Sequence, residues 1–128
     1  MSNKHILAIS ETADVLKVIK LSLQLTAGWE VLTVNSAKEG LVLADVSRPN
    51  AILLDADMPE IGAPSFLQTL QANPATHHIP VIVMAESDRS GVKRQFCQLG
   101  ATAVIPQLFE PTHLAKHIAE ALGWPWPS

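Results

Sequence analysis

The stretch AILLDADMPE, residues 51–60, decides the fold. Ala51, Ile52, Leu53 and Leu54 run without alternation into Asp55, and Pro59 then stops any regular continuation. A strand that is apolar at every position is buried on both faces, which places it inside a parallel sheet. In open α/β sheets, ligands and chemistry gather at the carboxyl ends of the strands. Asp55 therefore stands where a working group is expected.

Two further runs share this look. HILAI, residues 5–9, ends in Ser10, Glu11 and Thr12, and VIVMA, residues 81–85, ends in Glu86, Ser87 and Asp88. Between residues 13 and 27, Val15, Leu16, Val18, Ile19, Leu23 and Leu25 recur at helical spacing, and Gly28 supplies the stop. Residues 29–34 are rich in β-branched side chains and predict a second strand, while residues 37–46 return to a helical pattern despite Gly40. Pro64 suits the first turn of a helix reaching Ala72, which Asn73-Pro74 breaks. Residues 90–99 predict a helix closed by Gly100, residues 103–105 a short strand, and residues 111–122 a last helix. Five strands alternating with five helices imply a doubly wound parallel sheet, because right-handed crossovers leave few other arrangements. The expectation is a flavodoxin-like (βα)5 domain with strand order 2-1-3-4-5, which sets Glu11 and Asp55 at one crevice.

Composition narrows the function. At 128 residues and 48% hydrophobic content, the chain fits one domain, residues 1–122, followed by the tail GWPWPS, residues 123–128. A net charge of -3 with scattered lysines and arginines argues against a nucleic-acid surface. No apolar run approaches the ~20 residues of a membrane span, and the start lacks a signal peptide's cleavage region, so a cytoplasmic protein is expected. The single cysteine, Cys97, excludes an internal disulfide and is expected to be a buried helical residue.

In this order and spacing, ILLDADMPE, NPATHHIPVIVMA and GATAVIPQLFEPTHL resemble the receiver domain of two-component response regulators, over about residues 4–122. The resemblance implies that Asp55 is the phospho-acceptor. It also implies a Mg²⁺ site made by Glu11, Asp55 and Asp57, the last through its backbone carbonyl. Five positions depart from the family pattern. Ser10 replaces the first acid of the pair after the first strand. Ala85 stands where a Thr or Ser binds phosphoryl oxygens, and Gln107 where a Lys does. Val104 occupies the aromatic switch position, and Leu108 takes the place of a proline. Two acids and no base remain of a pocket that has roughly three acids and one base. An amide in place of the ammonium loses a charge-assisted bond worth about 1.5 to 3 kcal/mol. The Mg²⁺ site is accordingly expected to be weak.

Three function classes follow from these residues. The first is a phospho-accepting receiver modified on Asp55 by a histidine kinase. The second is a degenerate receiver signalling by protein contact, and this is the reading the departures favour. The third, a flavin-binding or hydrolytic enzyme, is disfavoured by the lack of a G-x-S-x-G elbow, a Gly-rich phosphate loop and a Ser-His-Asp set. Expected partners are a histidine kinase or another signalling protein. Contact, or a homodimer, is expected on the face of the last two helices and the fifth strand. Trp124 and Trp126 are candidate partner-binding residues, with docking on their own domain as the alternative. Glu86 reads as an exposed loop acid. His113 and His117 have metal-ligand spacing but no third ligand, so they read as a helix face, and His77-His78 as ordinary loop.

Overall fold

Ala51–Asp55 forms the central strand, β3, and every one of its residues is buried. In the computed structural model, residues 4–57, 62–86, 90–107 and 109–126 are described. Pro59, Ser87, Asp88, Leu108 and the last two tail residues lie outside the described residues. The other strands are β1 (His5–Ile9), β2 (Glu30–Val34), β4 (Val81–Ala85) and β5 (Ala103–Pro106). They pair in parallel in the order β2-β1-β3-β4-β5, the expected flavodoxin-like order. The helices are α1 (Ala13–Ala27), α2 (Ala37–Ser47), α3 (Ala63–Ala72), α4 (Ser90–Gln98) and α5 (Leu114–Leu122), with a 3-10 turn, Pro111–His113, leading into α5.

The strands divide the core in two, since successive side chains point to opposite sheet faces. Ile6, Ala8, Leu53, Ile82 and Met84 pack with Leu16, Ile19 and Leu23 of α1 and Leu114, Ala115 and Ile118 of α5. Leu7, Ile9, Ile52, Leu54 and Val83 pack on the other side with Ala37 and Ala44 of α2 and Phe66, Leu67 and Leu70 of α3. Gly40 lets α2 approach β1 closely, for a Cβ there would lie 2.5 Å from Ile9 Cδ1. The Ser36 hydroxyl caps α2 by accepting from the Glu39 N–H at 3.3 Å.

α1 and α5 end alike. Gly28 at φ 69° and Gly123 at φ 71° take the left-handed cap conformation, and each is followed by a tryptophan. The Trp29 and Trp124 N–H groups return to Leu23 and Ala119 carbonyls, which aims both rings at the same end of the first core layer. Trp124 meets buried Trp29 edge-on at 5.3 Å between centroids, Trp126 does so at 6.4 Å, and Lys4 Nζ sits 4.6 Å over the Trp124 ring. The tail therefore docks on its own domain, up to Trp126.

One expectation needs correction: Cys97 is exposed rather than buried. Among the described side chains of α4 only Val92 and Phe96, four residues apart, are half-buried, and Cys97 projects about 100° away from Phe96. In α1, Val18 and Leu25 belong to the apolar pattern yet lie 40% and 81% exposed, because they sit on the side opposite Leu16, Ile19 and Leu23.

Candidate functional site

Asp55 is the last residue of β3 and is 6% exposed, at the point where β1 and β3 end side by side. Its carboxylate is held by three donors, none of them charged. The Ser10 hydroxyl donates to Oδ2 at 2.8 Å; the Asp57 backbone N–H and the Gln107 amide Nε2 donate to Oδ1 at 2.9 and 2.7 Å. Ser10 is fully buried, and its oxygen also accepts from the Thr12 N–H at 3.1 Å, which turns the hydroxyl proton toward Asp55. The Gln107 amide lies 3.3 Å from Asp57 Oδ2 and 3.5 Å from the Met84 carbonyl. The Gln107 backbone N–H donates to Ala85 O at 2.9 Å, prolonging the β4–β5 ladder and setting the amide at the sheet edge.

These bonds give two departures from the family pattern a positive role. Ser10 and Gln107 read in the sequence as losses of a carboxylate and an ammonium. In the fold each supplies a neutral donor to Asp55. The signal was present in the residue types, since a Ser hydroxyl and a Gln amide both donate, but the Met84 carbonyl beside Gln107 could not be named from the sequence. Ala85 is buried and brings only a methyl group. Val104 is half-buried and packs on the second core layer, with Phe96 and Leu99 beside the same layer.

The other candidates are spread around this centre. Asp57 and Glu11 are exposed, as is Glu86, and among the described residues no three Asp, Glu, His or Cys side chains converge as metal ligands. The carboxylate oxygens of Asp55, Asp57 and Glu11 are hard ligands of the kind Mg²⁺ takes. However, Asp55 Oδ1 already accepts two hydrogen bonds and Oδ2 one. The residues fit a hard cation in kind, with one carboxylate fewer at Ser10 to hold it. His113 and His117 lie exposed, with ring centroids 6.3 Å apart, and His77 and His78 are exposed in their loop.

A parallel sheet of this order with an aspartate at its switch point defines a class: flavodoxin-like domains that work from the carboxyl edge of the sheet. Within that class the chain belongs to the response regulator receiver domain family, whose model matches residues 6–119. It is 34% identical over 119 residues to the transcriptional regulatory protein PrrA of Mycobacterium leprae, covering 93% of this chain and 48% of that protein. To the polar-differentiation response regulator DivK of Brucella anthropi it is 28% identical over 97 residues, covering 76% of this chain and 79% of DivK. The chain spans about half the length of the first curated relatives it matches. Among solved structures, the chemotaxis response regulator CheY4 of Vibrio cholerae superposes with a TM-score of 0.87 at 22% identity, over 94% of this chain and 99% of that one. The receiver domain of the sensor histidine kinase PA1611 of Pseudomonas aeruginosa, solved with magnesium in its active-site cleft, superposes at 0.82 with 20% identity, over 95% and 99%. At these identities both show the fold. Receiver domains interact with histidine kinases and other signalling proteins. No helix among the described residues is long and apolar enough to cross a membrane.

Proposed function

We propose that this chain is an atypical receiver that signals through protein contacts and whose conformation depends little on phosphorylation. One observation carries this reading: the Asp55 carboxylate is already satisfied by Ser10, Asp57 N–H and Gln107, all neutral. A phosphoryl group on Asp55 would meet the Ala85 methyl where a hydroxyl would bind it, and an amide where an ammonium would. A ligand shifts a two-state equilibrium only through its differential affinity for the two states, and here few groups can respond to it. Val104 carries no ring, and the chain has no tyrosine to relay a rotamer change to α4 and α5. Asp55, Asp57 and Glu11 would hold Mg²⁺ weakly, and the ion would supply charge neutralisation for an incoming phosphoryl group. The face of α4, β5 and α5 carries the partner, helped by the half-exposed Trp124 and Trp126 of the tail.

The alternative is a phospho-accepting receiver, favoured by the position of Asp55 at the switch point with Asp57 beside it. Two measurements separate the readings. Intact-mass analysis after incubation with acetyl phosphate and Mg²⁺ is expected to show no lasting phosphoryl adduct, and one retained on Asp55 supports the alternative. Asp55→Asn is expected to leave partner affinity nearly unchanged. A drop of about tenfold or more, about 1.4 kcal/mol, with the fold intact would return the protein to the phospho-switch class.

A further inference from the structure

Among the described residues, the large exposed hydrophobic side chains lie on α1, β2 and α2: Val18, Leu21, Leu25, Leu32, Val42 and Val46. Among the described residues none lies on α4, β5 or α5. On α2, Val42 is 62% exposed and Val46 74%, and a shallow apolar hollow of about 480 Å³ runs along Lys38, Glu39, Val42 and Leu43. At 100° per residue, Asp45, Lys38, Val42 and Val46 fall in that order across one outward face about 100° wide. Lys38 and Asp45 thus share the flank beside the valines. They are seven residues and about 10 Å apart along the helix, too far to pair within one chain. The only ion pair among the described residues is His5 with Glu30, so neither charge has an ionic partner among them.

We infer that the outer face of α2 is a self-association surface, on which a second copy of this chain packs its own α2 antiparallel. A two-fold axis crossing near Val42 sets the flank carrying Lys38 and Asp45 against the same flank of the other copy. Lys38 then meets the partner copy's acid at position 45, and Asp45 meets its lysine, while the two Val42 side chains meet near the axis. Glu39 lies on the opposite flank and faces no acid across the axis. Exposed ion pairs contribute little affinity, so the charges set orientation and register while burial of the valines drives association. The rival apolar stripe, Val18, Leu21 and Leu25 on α1, has no such self-complement. Its neighbours Lys17 and Lys20 are both basic, and Asp14, the stripe's acid, falls opposite no helical residue when the stripe is paired with itself antiparallel. One helix face is small beside a standard interface, so the dimer is weak and reversible.

Sedimentation velocity of the full chain over about a hundredfold range of concentration reads this directly, because a weak dimer follows mass action. The expected result is a concentration-dependent approach to dimer mass. Val46→Asp and Lys38→Glu should each weaken it about tenfold or more, and the swap Lys38→Glu with Asp45→Lys should restore it. Circular dichroism and urea unfolding confirm that each variant remains folded, and all these positions are exposed. A chain that stays monomeric throughout overturns the inference. So does a dimer that Leu25→Asp abolishes while Val46→Asp leaves it intact, which would place the contact on α1. Failure of the charge swap to restore what Lys38→Glu removed also overturns it, since the antiparallel register requires that rescue.

Discussion

The bond from Gln107 to Asp55 can be weighed by a double-mutant cycle. Gln107→Leu removes an amide that donates to a buried carboxylate oxygen at 2.7 Å, and leaves a side chain of similar bulk. A hydrogen bond to a charged group contributes about 1.5 to 3 kcal/mol. The contacts at 3.3 and 3.5 Å to Asp57 and Met84 add little at such lengths. The expected cost of Gln107→Leu is therefore about 2 kcal/mol. With Asp55→Asn in the background, the same amide meets a neutral carbonyl oxygen, a bond worth about 0.5 to 1.5 kcal/mol. The asparagine NH₂ replaces Oδ2 and takes away the acceptor of the buried Ser10 hydroxyl, a cost common to both corners of the cycle in that background, so it cancels in the coupling. The cost of Gln107→Leu should then fall to about 1 kcal/mol, a coupling of about 1 kcal/mol between the two positions. Urea unfolding followed by tryptophan fluorescence measures all four corners, with equal m-values showing that the unfolded surface is the same. A coupling below about 0.3 kcal/mol, within ordinary additivity error, would refute the view that the Gln107 amide holds the Asp55 carboxylate.

Three other outcomes are expected. Ser10→Asp should strengthen Mg²⁺ binding about tenfold or more by isothermal calorimetry, because a hard cation is held largely by ligand charge; an unchanged affinity would mean the first acid position does not face the metal. Trp124→Ala should cost about 2 kcal/mol, roughly half of a fully buried Trp truncation, and Trp126→Ala should cost less, since it lies farther from Trp29 and away from Lys4. Equal and negligible losses in thermal unfolding would show that the tail does not clasp the domain. Gly40→Ala should destabilise by about 1 kcal/mol despite better helix propensity, as overpacking against Ile9 outweighs it. In an Ile9→Val background, which removes Cδ1, the same change should no longer cost stability.

The elements were legible along the chain because each is coded locally. Short uninterrupted apolar runs at residues 6–9, 51–54 and 81–85, bounded by turn signals, read as strands covered on both faces. Gly28 and Asn73-Pro74 end helices through backbone geometry that needs no distant partner. The alternation and right-handed crossovers imply a doubly wound sheet, and in the flavodoxin-like order that the sheet adopts Asp55 falls at the switch point between β1 and β3. Which groups touch was decided by tertiary structure. Ser10, Asp55 and Gln107 lie 45 and 52 residues apart, and only the sheet register brings a hydroxyl and an amide onto the two oxygens of one carboxylate. Trp29 and Trp124 meet because α1 and α5 end side by side at the same edge of the core. The same holds for exposure. The periodicity marks Leu23 and Leu25 alike as apolar, and Val42 and Ala44 likewise, yet which one is buried depends on how the helix is rolled against the sheet. That rotation is set by packing across the whole core, a sum over contacts that no local stretch of sequence contains.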